Sequence, residues 1–366
     1  MSSLNILQII SGTAVNGALV YCKLLSDQLT ARGHKVSILH RRDSWMAKQQ
    51  YERPVDLIES ELSRTPAELK RIADLVHERK IDLIHTHMSR GHSFGVLLRM
   101  FHGIPCIATA HHRNLQLHWR WNDYVIANSD ATLKYHRRVN LVPGPKSETV
   151  HCFTDLERFN HVTERDVRRI RRQLRLNGNE FLVGVVGEVV QRKGHIYLFR
   201  ALSKIIEAVP ELKLVVLGRY QRREATARAL RKLLVQHGLY RRTKWLGLRS
   251  NVQDFMTAFD LTVVPSIEEP LGLVAIESLA AGTAVVATDV GGLPEIVRHE
   301  ETGLLVPSKN PDAIADAVIR MARDRDLRER CGNTGRKMVF RKFDVDRLTT
   351  GVEQVYHGIL DRRRAA

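Results

Sequence analysis

The densest set of chemically capable groups in the chain is Pro265-Ser266-Ile267-Glu268-Glu269-Pro270-Leu271-Gly272-Leu273-Val274-Ala275-Ile276-Glu277. An apolar run precedes it and helical spacing follows, which predicts a buried strand, a loop and a helix start. At such a start the backbone N–H groups of Leu271, Gly272, Leu273 and Val274 lack intrahelical acceptors and lie at the positive end of a helix dipole. That end favours a phosphate or diphosphate. Glu277 falls about one turn into the helix, within reach of sugar hydroxyls, and Glu269 lies in the loop before it. Two carboxylates also raise glycoside hydrolysis, but eight residues along one helix span roughly 12 Å. The acid and its partner in such enzymes stand roughly 5–9.5 Å apart. Pro270 and Gly272 allow a bend, so hydrolysis loses ground without being excluded, and on chemistry alone an ordinary turn with solvated glutamates is an equal alternative.

His85 and His87 share one face of a strand and could join His111 or His112 around a metal, but no third ligand stands at a fixed spacing. Strand-end histidines facing a polar cleft are the favoured reading. Asp324-x-Asp326 and Asp344-x-Asp346 are carboxylate pairs in a charged helical region, where solvated charge is the simpler explanation.

The elements that must position these residues follow from the pattern of short β-branched runs alternating with amphipathic stretches, which predicts parallel α/β units with helices on both sheet faces. Strands are expected at Leu4–Ile10, Val36–Leu39, Leu83–His85 and Cys106–Thr109, then at Leu182–Val186, Leu212–Leu217, Thr243–Leu246, Leu261–Val264 and Ala284–Ala287. Helices are expected at Thr65–Glu78, Ser93–Met100, Ile196–Glu207, Ala225–His237, Asn251–Phe259 and Leu273–Ala281. The expected organisation is a Rossmann-like domain over 1–160, a connection over 161–180 and a second Rossmann-like domain over 181–345. Residues 346–366 form a C-terminal helix free to cross back to the first domain. Ligands of such doubly wound sheets bind outside the carboxyl ends of the strands, here in the cleft expected between the two domains.

The 366 residues suit about two domains of roughly 150, and 43% apolar residues supply a core for each. Lys and Arg outnumber Asp and Glu by 57 to 40, a formal charge of +17, which admits nucleic acid, an anionic membrane or a phosphorylated substrate as partner. Cys22, Cys106, Cys152 and Cys331 lie far apart, arguing against a zinc ribbon or a disulfide framework and for a reducing compartment. The first 22 residues carry no charged side chain, but they lack a basic n-region and are interrupted by Asn5, Gln8 and Asn16, so a strand, a loop and a helix start are expected rather than a signal peptide. Pro270–Thr288 contains Glu277, Gly272 and Gly282 and makes a poor spanning helix. Membrane contact is therefore expected to be peripheral.

Glu269 and Glu277 with Gly272 between them, then Ala281-Gly282-Thr283-Ala284-Val285-Val286-Ala287, Gly291-Gly292-Leu293-Pro294-Glu295-Ile296-Val297 and Gly303-Leu304-Leu305-Val306-Pro307, closely resemble the C-terminal domain of the family-four retaining glycosyltransferases, also called group one. Upstream, Asp82-Leu83-Ile84-His85-Thr86-His87, Pro105-Cys106-Ile107-Ala108-Thr109-Ala110-His111, Asp155-Leu156-Glu157-Arg158-Phe159 and Arg192-Lys193-Gly194-His195 follow the family's order. The resemblance implies a GT-B fold and transfer of a sugar from a nucleotide-sugar donor to a glycan or lipid-linked acceptor. The expected setting is cell-surface polysaccharide or lipopolysaccharide synthesis at the cytoplasmic face of a membrane. It implies that Glu277 holds the donor ribose, Glu269 contacts the transferred sugar, and the amides of Leu271 to Val274 approach sugar and diphosphate. Lys193, with Arg192 beside it, neutralises the departing diphosphate, and His111 lies near the sugar and reacting centre. Gly17 lets backbone approach the diphosphate or acceptor. No metal and no cofactor are expected, because fixed cations and amides stabilise the leaving group; retention by same-face substitution is likewise implied by the resemblance alone.

The sequence departs from the family at several points. Glu188 stands where an arginine usually meets the diphosphate, Gly218-Arg219-Tyr220-Gln221 lacks a second glycine, and Asn16-Gly17 replaces a commoner Gly-Gly. Glu188 motivates one alternative, a catalytically impaired binding protein of the same fold; charge alone motivates another, a nucleic-acid-binding protein, for which no module is found and no nucleic acid is expected. The arginine-rich stretch Arg165–Arg175 is expected to be a solvated connector. Between His85 and Arg138, Arg90, Arg99, Arg113, Arg120, Lys134, Arg137 and Arg138 face only Asp123 and Asp130, with Trp119 and Trp121 among them. An anionic membrane or acceptor site and a loop covering the first core are both open readings of that segment.

Overall fold

The computed structural model describes residues 2–221 and 223–365. The β-branched runs form strands and the amphipathic stretches form helices. In chain order these are β1 (Asn5–Ile10), α1 (Gly17–Ala31), β2 (Lys35–His40), β3 (Asp56–Glu59), α2 (Pro66–Glu78), β4 (Leu83–His87), α3 (Ser89–His102), β5 (Cys106–Ala110), β6 (Tyr124–Ala127), α4 (Asp130–Val139) and β7 (Ser147–Thr149). There follow α5 (Glu164–Gln173), β8 (Leu182–Val186), α6 (His195–Ala208), β9 (Lys213–Leu217), α7 (Ala225–Gln236), β10 (Thr243–Gly247), α8 (Val252–Ala258), β11 (Leu261–Val264), α9 (Leu273–Ala280) and β12 (Val285–Thr288). The chain ends in β13 (Gly303–Val306), α10 (Pro311–Arg323), α11 (Arg325–Lys342) and α12 (Val345–Arg364).

Two compact units result, one from residues 1–154 with 343–366 and the other from 155–342. In the first, seven parallel strands lie in the order β3-β2-β1-β4-β5-β6-β7; in the second, six lie in the order β10-β9-β8-β11-β12-β13. Both are the doubly wound α/β sheets expected. In each the strand order reverses beside the first strand, between β1 and β4 and between β8 and β11. Ligand sites of such sheets form at that reversal. Leu7, Ile9, Ile84 and Leu98 pack in one core, and Val183, Val185, Leu214 and Leu202 in the other.

The strands absent from the sequence reading are short: β3, β6, β7 and β13 hold three or four residues each; the ten-residue helix α4 was also not expected. Residues 161–180 are not a free connection. Thr163 and Asp166 close a capping box at the start of α5, and its arginines clamp the second unit. Arg169 pairs with Asp254 at 2.8 Å, and Arg171 reaches Asp260 and the carbonyls of Ala258 and Glu180. The aspartate pairs of the C-terminal region are also structural: Asp324 accepts from the amide of Leu327, Asp344 caps α12, and Asp346 pairs with Arg32.

Helix α12 belongs to the first unit and is fastened there by polar groups. Tyr356 Oη stands 2.6 Å from His85 Nδ1, and the buried carboxylate of Glu353 meets His34 at 2.8 Å and also Arg32. The Leu4 amide donates to His34 Nδ1, so His34 Nε2 carries the proton given to Glu353. Removing a buried charge partner leaves its mates unpaired, at roughly 3–5 kcal/mol. Glu353→Ala is expected to destabilise the first unit at the lower end of that range, because Arg32 is partly exposed. Urea unfolding followed by circular dichroism measures it, and an unchanged midpoint contradicts the fastening role.

Candidate functional site

In the second unit the loops after β8 and β11 flank the strand reversal, and backbone contacts lock them together. The amides of Ile267 and Glu268 donate to the carbonyl of Arg192 at 2.8 and 3.3 Å. Gly194 follows at φ +64°, and a Cβ on it would stand 1.8 Å from the Pro265 carbonyl oxygen. Only glycine permits that approach. It brings Lys193 onto the second loop, where its ammonium lies 2.5 Å from Glu269 Oε2. Ser266 Oγ donates to the same oxygen at 3.1 Å, and the backbone carbonyl of Glu269 receives the Gly292 amide. Lys193 and Glu269 are both largely withdrawn from water, so each charge depends on the other.

Gly272 opens α9 at φ +111°, with room for a Cβ blocked by Leu293 at 2.7 Å. No side chain caps this helix, and among the described residues no protein acceptor takes the amides of Gly272, Leu273 or Val274. Three aligned donors therefore sit at the positive end of the helix, one loop away from Lys193. Glu277, one turn on, receives Arg158 at 2.5 Å. The side chain of Arg192 is exposed beside them. Leu271 is buried and anchors the loop.

Glu188, at the other side of the β8 loop, is paired with Arg219 through its guanidinium. The two loops that carry them are zipped together, Gly187 N donating to Leu217 O and Val189 N to Arg219 O. The carboxylate at 188 is thus paired with a neighbouring guanidinium.

Gly17 and His111 belong to the first unit. Gly17 is exposed as the first residue of α1 and has no left-handed backbone angle. The amides after it are already occupied, since Asn16 Oδ1 accepts from Ala18 N at 3.0 Å and Leu19 N at 3.2 Å. His111 follows β5 and ends a buried polar chain. His87 Nε2 donates to Gln8 Oε1 at 2.7 Å, His87 Nδ1 lies 3.0 Å from His111 Nε2, and His111 Nδ1 lies 3.6 Å from the Cys152 sulfur. With Gln8 as terminal acceptor the protons order themselves: His111 Nε2 donates to His87, and His111 Nδ1 accepts from the thiol. Burial, then the neighbouring imidazoles, holds His87 and His111 well below the usual histidine range, so both are neutral. Tyr21 packs edge-on against both rings.

Lys193, Glu269, Gly272 and Glu277 are thus brought into one neighbourhood. Ser266 and Arg158 join it without having been assigned roles from the sequence. Gln8 and Cys152 were equally unassigned; the signal for Gln8 was a lone amide within an apolar strand. His85 is held by Tyr356 and by Thr109 at 2.6 Å. Among the described residues no group of three His, Cys, Asp or Glu is arranged as metal ligands. Trp119 is fully buried, against His92 and His136, whereas Trp121 is exposed.

Burial pushes His85 to about 3, and His136 and His195 to about 4. Unfolded histidine titrates near pH 6.5, so between these values the unfolded chain binds protons that the folded chain refuses. Their contribution is complete above about pH 6.5 and is lost as pH falls, with a slope of up to about 1.4 kcal/mol per pH unit for each group. Urea midpoints are expected to drop between pH 7 and pH 5, and His85→Gln should make that drop shallower. A wild-type midpoint independent of pH contradicts the buried, neutral state.

Residues 166–338 match the family model for glycosyl transferases group 1, and residues 15–158 that for Glycosyltransferase Family 4. An uncharacterized glycosyltransferase of Methanocaldococcus jannaschii is 27% identical over 93% of this chain and 94% of its own length. The N-acetyl-alpha-D-glucosaminyl L-malate synthase of Bacillus anthracis is 24% identical over 95% of each. Among solved structures, Anabaena HepE in complex with UDP and glucose superposes with a TM-score of 0.87 at 21% identity, covering 97% of this chain and 100% of that one. The two doubly wound parallel domains are therefore those of GT-B enzymes, and the chain belongs to the family-four, group 1 glycosyltransferases.

Proposed function

We propose that the protein moves a sugar from a nucleotide-sugar donor to a glycan or lipid-linked acceptor, in the synthesis of a cell-surface polysaccharide or lipopolysaccharide. The observation that carries this reading is the set of unpaired amides of Gly272, Leu273 and Val274 next to the Lys193–Glu269 pair. Such a set suits a diphosphate flanked by a sugar. The UDP and glucose held by the Anabaena relative support the donor class.

In this reading the diphosphate settles on the start of α9, and Lys193 turns part of its charge from Glu269 to the phosphate oxygens. As the glycosyl bond breaks, negative charge grows on the leaving group, so amides and ammonium bind the transition state more tightly than the ground state. Arg192 adds charge from the adjacent loop. Arg219, steadied by Glu188, supplies a guanidinium to the neighbourhood from which the substitution at 188 removes one, which favours an active enzyme over an impaired one. Glu269, released from lysine, accepts hydrogen bonds from hydroxyls of the transferred sugar, and Glu277 takes those of the ribose. His111 is neutral and acts by hydrogen bonding rather than as a cation. These cations and amides supply the stabilisation a metal would otherwise provide, and the anomeric configuration is retained.

A nucleotide-sugar panel should raise the unfolding temperature for the true donor, and turnover should release a nucleoside diphosphate; neither binding nor release sinks the enzymatic reading. Glu277→Gln is expected to weaken donor binding by roughly 10- to 100-fold, the worth of a charged hydrogen bond. Lys193→Met should lower kcat by roughly 100- to 1,000-fold. Rates should be indifferent to EDTA, and NMR of the fresh product should show the donor's anomeric configuration; an EDTA-sensitive rate or an inverted product contradicts the metal-free or retaining step.

A further inference from the structure

Helix α9 delivers Glu277 to the candidate donor site, but a glutamate side chain is rich in rotamers and the helix alone leaves its orientation open. Arg158 narrows it. Its guanidinium lies 2.5 Å from Glu277 Oε1, across 119 residues of chain. At 33% and 15% exposure neither side chain is open enough for water to screen the pair as it does on a surface.

Arg158 is itself held in place. It stands in the short turn Glu157–Phe159, whose flanking Leu156 and own Phe159 are buried. Its amide donates to Asp155 Oδ1 at 3.3 Å, and its guanidinium carbon lies 5.1 Å from the centroid of the Phe159 ring, a favourable cation–ring contact. Asn160, the next residue, accepts from Arg336 of α11 at 2.6 Å, and the same guanidinium donates to the carbonyl of Ala280 at the end of α9. Helix α11 lies close enough for this because of two glycines. A Cβ at Gly332 would stand 2.1 Å from the Gly282 carbonyl oxygen, and one at Gly335 would stand 2.4 Å from the Leu279 side chain. The turn is therefore tied to α9 twice, through Glu277 and through Arg336 at Ala280.

The chemistry of the pair favours orientation over obstruction. A carboxylate offers about four lone-pair sites, so one guanidinium N–H leaves it able to accept from hydroxyls as well. Ribose hydroxyls are neutral donors, and a charge-assisted bond to arginine is stronger than the bonds they make, so they add to the pair without displacing it. An acceptor already turned the right way also loses less freedom when the nucleotide arrives.

We infer that Arg158 is a positioning residue that gives the donor site its preference for ribose: by holding Glu277 Oε1 it fixes the carboxylate in the orientation that meets the sugar hydroxyls of the nucleotide. The inference rests on the proposed role of Glu277 as the ribose acceptor.

Titration calorimetry of the full chain with uridine, guanosine and adenosine diphosphates, each beside its 2′,3′-dideoxy counterpart, tests it. For the base that binds, the wild type is expected to favour the ribonucleotide by roughly 10- to 100-fold, the worth of hydrogen bonds to a charged group. Arg158→Met should bring that ratio below about threefold as those bonds are lost, and Arg158→Lys, which keeps a cation beside Glu277, should restore part of it. In a Glu277→Gln background Arg158→Met should change the ratio by less than about twofold, because the two residues act as one unit. A residue that merely braced the turn would behave differently: Arg158→Met would lower the unfolding temperature and weaken both nucleotides alike. An unchanged ratio of that kind overturns the inference. So does tighter ribonucleotide binding by Arg158→Met, which would make the pair an obstacle to the ribose. Equal binding of both nucleotides by the wild type overturns it together with the ribose role of Glu277, and leaves the diphosphate site standing. Binding of none of the nucleotides removes the proposed donor site, and this inference with it.

Discussion

The contact between Gly194 and the carbonyl oxygen of Pro265 governs the candidate donor site. A side chain at 194 would occupy the space of that oxygen, so the two loops at the strand reversal meet only because the residue is glycine and takes a left-handed angle. Once they meet, Arg192 can receive two amides from the second loop, and Lys193 is delivered to Glu269. Burial then makes the ion pair obligatory, since neither charge has enough water to stand alone. The same loop leads into Gly272, whose own left-handed angle starts α9 without a capping side chain. Backbone geometry thus prepares both an available set of amides and a cation held by an exchangeable partner.

The first unit uses a different constraint around His111. Its ring is held by hydrogen bonds running from Gln8 to Cys152, and burial keeps the chain neutral. A charged imidazole in that row would face another imidazole or a thiol with no carboxylate among the groups bonded to it. The network therefore fixes a tautomer in addition to a position. Asn16 has a comparable effect on α1: by occupying the Ala18 and Leu19 amides it removes donors that a glycine in its place would leave open. This distinguishes the two helix starts, the one at α1 closed by its own side chain and the one at α9 open.

Much of this was legible in the sequence because strands and the Glu269–Glu277 loop are local features. The β-branched runs located nine of the thirteen strands, and the helix start at Gly272 followed from spacing and composition. The short edge strands β3, β6, β7 and β13 were not legible, since three or four residues show too little periodicity to separate from loop. Pairings across long stretches of chain were equally hidden. Nothing local to Arg158 announces Glu277, and nothing near Glu188 announces Arg219. Trp119 and Trp121 show the limit sharply, because two tryptophans in one short segment differ from fully buried to half-exposed according to which side of a 3-10 turn each occupies.

The same limit applies to charge. Counting arginines made Arg165–Arg175 the most conspicuous basic stretch, yet Arg169 and Arg171 are spent on Asp254, Asp260 and carbonyls that hold α5 to α8. A cation satisfied by a fixed acid contributes little field beyond its pair, so local density of positive residues overstates what a partner would meet. Arg120 and Arg138 carry more meaning despite being sparser, because both are exposed and Asp123, one of the two acids of that stretch, is already held by Arg99 and Arg363. Net charge therefore has to be read after the internal pairs are subtracted, and in this protein the arginines of α5 count for less than exposed cations such as Arg120, Arg138 and Arg192.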